Sequence, residues 1–513
     1  MNTGMHKSQL AGMIEATLSI DPSAPALEFE KRWHTWGEIG AAAKSLTDLL
    51  DGLGLGAGAR VGTLLRNRPE FVSVLVSLFS SGRCLATLNA HAPDEALGAD
   101  IECVQSPVIV GLAADLARPK VREAIARSGA VALMLTGDSA NPIAQDPALP
   151  GNRARWSKIS APEIAIEMLT SGTTGAPKRI PLPYPNFEKA LIGAAKFEKG
   201  RTTSDAPKLR GGVQIVSAPI AHIAGVTAVM NNILAGRRVC LLEKFTVEGF
   251  RDAVVRHRPK VAGAPPSALR MIMDADIPRE DLSSLVAYRT GTAPLDPALA
   301  DAFYERYGVP VLQNYGATEF AGGAAGWTLD DFKLFWTHKR GSVGRVNPGV
   351  EARIVDPEAG EEIARGSEGL LEMRGANIGD GKTFVRTTDL AVLDEDGFLF
   401  IKGRHDNAII RGGFKILPHD LIKVLEQHPA IREAGVAGIP DARLGQVPAA
   451  AYIVKAGATP PTEDELKSFL RTRLMPYQIP VLLKAVEELP RTPSMKISQP
   501  ALKALLEQDA ATR

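Results

Sequence analysis

A chain of 513 residues exceeds what one hydrophobic core organises, so two or more domains are expected. Apolar residues at 45% and charged residues at 23% are the proportions of an ordinary globular protein. The 59 Lys plus Arg nearly cancel the 58 Asp plus Glu, which argues against a dedicated nucleic-acid or anionic-membrane binder, though not against a local basic patch.

The N-terminal stretch lacks a long apolar core and carries Glu15 and Asp21, so no signal peptide is expected. RVGTLL (60–65) reads as a strand, and PEFVSVLVSLFSSG (69–82) as a helix with Pro at its start and Gly at its end. SPVIVGL (106–112) and GAVALMLTG (129–137) are short apolar runs of buried-strand type. VQIVSAP, RRVCLLE and RPKVAGAPP repeat the theme, each followed by a helical pattern. Such alternation predicts βαβ units and helix-covered, mostly parallel sheets. Residues 211–236 hold no Asp, Glu, Lys or Arg, but Gln214, Pro219, His222, Asn231 and Asn232 interrupt them. A buried strand and a buried helix are expected there rather than a membrane span.

From Ser342 the texture becomes that of antiparallel strands joined by turns. After Arg404 a small α+β domain begins, with a helix in KILPHDLIKVLEQHP that turns Leu421, Ile422 and Leu425 to one face. The expected fold class is therefore α/β: a large N-terminal domain, 1–403, carrying a β-rich subdomain, and a small C-terminal domain, 404–513. Cys84, Cys103 and Cys240 are far apart, and no CxxC occurs. Reduced, buried thiols and a cytoplasmic location are expected, with neither a disulfide framework nor a thiolate zinc site.

TSGTTGAPKRI (170–180) is the densest polar motif. It fails the G-x-x-x-x-G-K-[ST] phosphate-loop pattern, because the position five beyond Gly172 is Pro177. Gly172 and Gly175 nevertheless let backbone N–H groups approach an anion. Ser171, Thr173 and Thr174 add hydroxyls, and Lys178 adds charge. A polar surface turn has the same composition.

The spacing of this loop resembles the signature of the adenylate-forming (AMP-binding) enzymes of acyl-CoA synthetase type. Four further motifs resemble that family in order: APIAHIAG (218–225); TGTAPL (290–295) with NYGATE (314–319); TTDLAVLDEDGFLFIKGRHD (388–406) with IIRGGFKILPHD (409–420); and LPRTPSMKIS (489–498). The resemblance implies that a carboxylate attacks the α-phosphate of ATP, giving an acyl-adenylate and pyrophosphate, and that a thiol then takes the acyl group. Aimed cations and donors are the main device for such chemistry.

By motif match, the resemblance assigns Thr170, Ser171, Gly172, Thr173, Thr174, Gly175 and Lys178 to the β- and γ-phosphates. Thr292, Ala293, Pro294, Asn314, Tyr315 and Gly316 fall to the adenine, and Asp389 and Arg404 to the ribose and phosphate. Glu319 would hold Mg²⁺, Thr318 would lie near the α-phosphate or the acyl carboxylate, and His222 would orient the carboxylate or gate the pocket, although a satisfied core histidine has the same signature. Lys496 would bridge the acid and the α-phosphate. Asp406 matches the hinge about which the mobile C-terminal domain rotates, and Gly412 and Gly413 the channel for the thiol arm. Two departures stand out: Met495 and Thr388 occupy positions where the family usually has glycine. If the loop at Met495 needs a left-handed turn, Lys496 is displaced and adenylation slows.

The same resemblance gives Ala221, His222, Val226, Met230, Gly291 and Ala317 to the acyl pocket. No aspartate stands there to meet an amino group, so an apolar acid is expected. Ala221, where relatives often carry an aromatic, gives space for a bulky one. With no carrier domain after residue 513, free coenzyme A is the expected acceptor. Loading of a separate carrier protein, a half-reaction specialist limited to thioester formation, a luciferase-like oxygenase and a nucleotide-binding pseudoenzyme stay open, as does a homodimer.

Overall fold

The computed structural model describes residues 8–156, 158–170, 178–197, 202, 206–411, 414–441, 443–492 and 495–511. They form two compact units, one of 8–170, 178–337 and 375–383, the other of 338–374 and 384–511.

The first unit is built on sheets whose cores are parallel. In the largest, the strands Val131–Leu135, Val108–Leu112, Arg60–Leu65, Cys84–Asn89 and Ile164–Thr170 lie side by side and parallel, with antiparallel edges Ile143–Pro150 and Lys178–Pro183. Every residue of Arg60–Leu65 is buried, as a strand covered on both faces requires. The helix Pro69–Ser80 is apolar all round because it too is enclosed. Pro69 starts it, and Gly82, at φ 68°, lies just past its end.

The uncharged stretch resolves into the strand Arg210–Val216 and the helix Ile223–Leu234, as expected. That strand joins Arg237–Leu241 and Pro25–Phe29 in parallel. The strands Val261–Gly263, Ala287–Thr290 and Val311–Ala317 are also parallel, and the last turns back antiparallel into Gly322–Gly326. No helix among the described residues is long and apolar enough to cross a membrane.

In the second unit, Glu368–Gly375, Val385–Leu393 and Leu399–Arg404 form an antiparallel ladder. A further sheet centres on the long hairpin Ile431–Asp441 and Gly445–Val454. The helix Pro418–Leu425 buries Leu421 and Leu425 completely, each worth about 1.5–3 kcal/mol relative to exposure. Helix Glu463–Arg471 starts on a capping box between Thr462 and Glu465.

The compact units part at 337/338, with 375–383 returning to the first. Leu417, beyond the expected boundary, packs on the buried Val355, Leu370 and Leu390 of the β-rich segment and ties the two together. The cysteines also differ in part from expectation. Cys84 and Cys240 are buried, with burial pushing their thiols up to about 12 and about 11, whereas Cys103 is exposed.

Candidate active site

The phosphate-loop motif is set between two paired strands. Thr170 ends one and Lys178 begins the next, and the two residues are register partners. Ser171, Gly172, Thr173, Thr174 and Gly175 lie outside the described residues, as do the side chains of Thr170 and Lys178. Arg179, the motif's other cation, serves the framework: its guanidinium binds the carbonyls of Thr87 and Glu167 and, at 2.6 Å, the carboxylate of Asp100.

His222 stands at the N-cap of Ile223–Leu234 and is half-buried. Its backbone is pinned from afar. The Asn67 amide donates to the carbonyls of Ala218 and Leu242, and its Oδ1 accepts the N–H of Ile220 at 2.7 Å. Gly225 is dictated by the turn, since a Cβ there would fall 2.2 Å from the Pro219 carbonyl oxygen. Val226 and Met230 are fully buried in the main apolar core, with Ala221 at its edge. The more accessible face of the helix carries Ala224, Thr227, Ala228 and Asn231.

The two adenine segments meet. Thr290 is the register partner of Gln313, and Gln313 Nε2 donates to the Ala293 carbonyl. A Cβ at Gly291 would lie 1.9 Å from Asn314 Oδ1, so only glycine allows this approach. Thr292 follows at φ 67°, an uncommon conformation for a β-branched residue. Strand Val311–Ala317 presents Asn314, Tyr315, Gly316 and Ala317 in turn. Thr318 and Glu319 then sit on the single 3-10 turn Thr318–Phe320, with Glu319 exposed.

The second unit gathers the remaining polar groups. Asp389 and Arg404 are cross-strand partners, and the Arg404 guanidinium donates to the hydroxyl of Thr388. The threonine found in place of glycine is thereby a partner of the arginine that the motif match assigns to the ribose and phosphate. Lys496 lies in their field. Although the residue is exposed, crowding of protein around its ammonium lowers its affinity for a proton. Arg404 acts in the same direction, and Asp389 opposes both.

The loop that carries the lysine does contain the left-handed turn: Met495 has φ 63°. Hydrogen bonds hold it, from the Met495 N–H to Thr492 O (2.8 Å), from the Thr492 N–H to Lys496 O (2.7 Å) and from the Lys496 N–H to the Thr492 hydroxyl (3.2 Å). Asp406 falls in the 3-10 turn His405–Asn407. Its side chain, and Gly412 and Gly413 entirely, lie outside the described residues.

Sequence reasoning missed Asn67 and Arg179, for which the only local signal was a polar residue beside a strand. Among the described residues, one group could hold a soft metal: Glu28, Cys240 and His257. Its donors are already engaged, because Glu28 takes Arg256 at 2.7 Å and His257 at 2.9 Å, which makes it a closed buried ion network.

Residues 14–381 match the family described as AMP-binding enzyme, and residues 423–496 match the AMP-binding enzyme C-terminal domain. A 2-succinylbenzoate–CoA ligase of Bacillus cereus is 28% identical, over 95% of this chain and 97% of its own. The peroxisomal OPC-8:0-CoA ligase 1 of Arabidopsis thaliana is 29% identical over 90% of this chain and 87% of its own. In fold, the chain is similar to the o-succinylbenzoate CoA synthetase of Bacillus subtilis solved with its acyl-adenylate intermediate, at a TM-score of 0.77, 24% identity and 96% and 97% coverage of the two chains. With its ordered motifs, two half-sites and both family domains matched, the chain belongs to the AMP-binding enzymes, the adenylate-forming acid–thiol ligases.

Proposed function

We propose that the chain activates an apolar monocarboxylic acid with ATP and passes the acyl group to coenzyme A. The carboxylate oxygen bonds to the α-phosphorus and pyrophosphate leaves. The thiol sulfur then bonds to the acyl carbon and AMP leaves. The observation that carries this reading is the convergence of Lys496, Asp389 and Arg404, from three stretches of chain, in one electrostatic environment.

In this reading Asp389 accepts hydrogen bonds from the ribose hydroxyls, and Arg404, steadied by Thr388, neutralises phosphate charge. Lys496 bridges the attacking carboxylate and the α-phosphate, holding two anions together while charge grows on the phosphoryl oxygens. Thr292, Ala293, Pro294, Asn314 and Tyr315 enclose the adenine, and the loop from Thr170 to Lys178 holds the departing pyrophosphate. Glu319 fits a magnesium ion: it is an exposed hard-oxygen donor that makes no ion pair among the described residues. Bound there, Mg²⁺ supplies charge neutralisation at the phosphates. The turn His405–Asn407, between Leu399–Arg404 and Ile409–Arg411, supports a hinge at Asp406 that divides 1–403 from 404–513.

Two features favour an apolar monoacid. Residues 211–236 offer no cation to a second carboxylate, and the accessible face of Ile223–Leu234 is lined by small or neutral side chains. The left-handed turn at Met495 is formed with methionine in place, which favours a complete enzyme over a half-reaction specialist.

The test is acid-dependent exchange of labelled pyrophosphate into ATP, run with octanoate, benzoate, a polycyclic acid and 2-succinylbenzoate. Exchange should be brisk with a monoacid and weaker with the dianionic 2-succinylbenzoate. K496M should lower it about 10²–10³-fold while coenzyme A still consumes supplied acyl-adenylate. Absence of exchange with every acid would overturn the reading. Product formed only with a carrier protein would move the acceptor from coenzyme A.

A further inference from the structure

Arg491 is absent from every role assigned above, yet its guanidinium makes three directed contacts beside the lysine. Its Nη1 donates to the Met495 carbonyl at 3.0 Å, and its Nη2 donates to both carboxylate oxygens of Glu433 at 2.8 and 2.6 Å. Glu433 belongs to the long strand Ile431–Asp441, the scaffold of the C-terminal sheet, where a register shift between Ile431 and Glu433 marks an irregularity in the ladder. The pair is partly shielded, with side chains 27% and 12% exposed, so it has more purchase than a solvated surface ion pair. Arg491 is also bridged to Ile497 through the backbone, which closes the loop around Met495 and Lys496.

The carbonyl that Arg491 holds belongs to the peptide joining Met495 to Lys496. That peptide is set by a non-glycine residue in the left-handed region, where its Cβ crowds the following carbonyl oxygen. We infer that Arg491, anchored by Glu433, is a positioning residue for adenylation: it clamps the left-handed turn at Met495 and so fixes where the Lys496 ammonium is presented. A guanidinium suits the task, because its planar fork reaches a carboxylate and a carbonyl at once, whereas an ammonium is a single point of charge. The clamp supplies by a side chain what glycine would supply by its own backbone freedom.

This inference rests on Lys496 being the adenylation lysine, and the experiment separates the two. Pyrophosphate exchange and the conversion of supplied acyl-adenylate to thioester are measured on the full-length chain for K496M, R491Q, R491K, E433Q, M495G and R491Q/M495G. R491Q should lower the kcat of exchange by about 10²-fold, the effect of a misplacement of about 1 Å. KM for ATP should stay within about threefold, and thioester formation should be unchanged. R491K should recover part of the loss, and E433Q should show a milder version of it.

The decisive readout is the double variant. With glycine at 495 the turn needs no clamp, so R491Q should lose less against M495G than it loses against the native chain. Equal loss in both backgrounds, or parallel loss of both half-reactions, overturns the inference. If K496M leaves exchange intact, the assignment of Lys496 has failed. If K496M abolishes exchange and R491Q does not, only the clamp has failed.

Discussion

Each half-site holds a non-glycine residue at positive φ, and the two are held by different means. Thr292, at 67°, lies two residues past Ala287–Thr290, where Thr290 is in register with Gln313 and its hydroxyl donates to the Ala264 carbonyl at 2.9 Å. Met495, at 63°, sits in a loop closed by a few hydrogen bonds and an ion-paired arginine. The first conformation stands two residues beyond a strand whose register many backbone bonds enforce together. The second rests on two backbone bonds and on the side chains of Thr492 and Arg491, which are removable one at a time. A binding surface for a rigid base suits the first arrangement. A lysine that serves one of two half-reactions suits the second.

The strongest way to break the contrast is to crowd the rigid half. In G225A the new Cβ meets backbone, at 2.2 Å from the Pro219 oxygen and 2.6 Å from the Ile220 nitrogen, and no rotamer relieves it. A loss of about 3 kcal/mol is expected in urea unfolding; a loss below about 1 kcal/mol would show that the turn ahead of His222 is pliable. G291A is milder because its obstacle is a side-chain tip. Displacing Asn314 should lower stability by about 1 kcal/mol and raise KM for ATP about tenfold with kcat held, which adenylation kinetics would show.

The pliable half should respond to charge rather than to bulk. Lys496 is held below the ordinary lysine range by crowding and by Arg404, against Asp389. In the proposed reading its charged form does the bridging, so exchange should fall as pH rises through that lowered value. D389N removes the group that raises the proton affinity and should move this alkaline limb to lower pH. R404Q removes the opposing cation and should move it to higher pH. Limbs that stay in place in both variants would mean that another group titrates.

The smallest effect is expected for M495G. Relief of about 1–2 kcal/mol in the turn is offset by about 0.4–1 kcal/mol of added unfolded-state entropy, so stability in urea should change by less than about 1 kcal/mol. A larger change would place Met495 in packing rather than in the turn.

Much of the framework was legible in advance, because its causes are local. Arg60–Leu65 reads as a buried strand from its own apolar run, and Pro69–Ser80 as a helix from Pro69 and the all-round apolar surface that enclosure demands. Gly291 was expected only in the acyl pocket, and its close approach to Asn314 Oδ1 depends on a strand from elsewhere in the chain. Texture changes at Arg404, whereas compactness depends on Leu417 reaching Val355, Leu370 and Leu390, a contact that no local pattern announces. The need for a left-handed turn at Met495 could be posed from the sequence, but its answer lay in the loop's hydrogen bonds.

The sequence by itself determined the chemistry on offer: which hydroxyls, carboxylates and cations exist, in what order, and on what kind of element. Local sterics and hydrophobic periodicity act over a few residues and are written in them. Only the tertiary structure decided which groups the frame takes up and which stand together. Asn67 grips a carbonyl 151 positions away to set the turn before His222. Arg179 is drawn into the sheet by Asp100. Asp389, Arg404 and Lys496 acquire one shared electrostatic environment. Hydrogen bonds and charge act through space, and folding sets those distances.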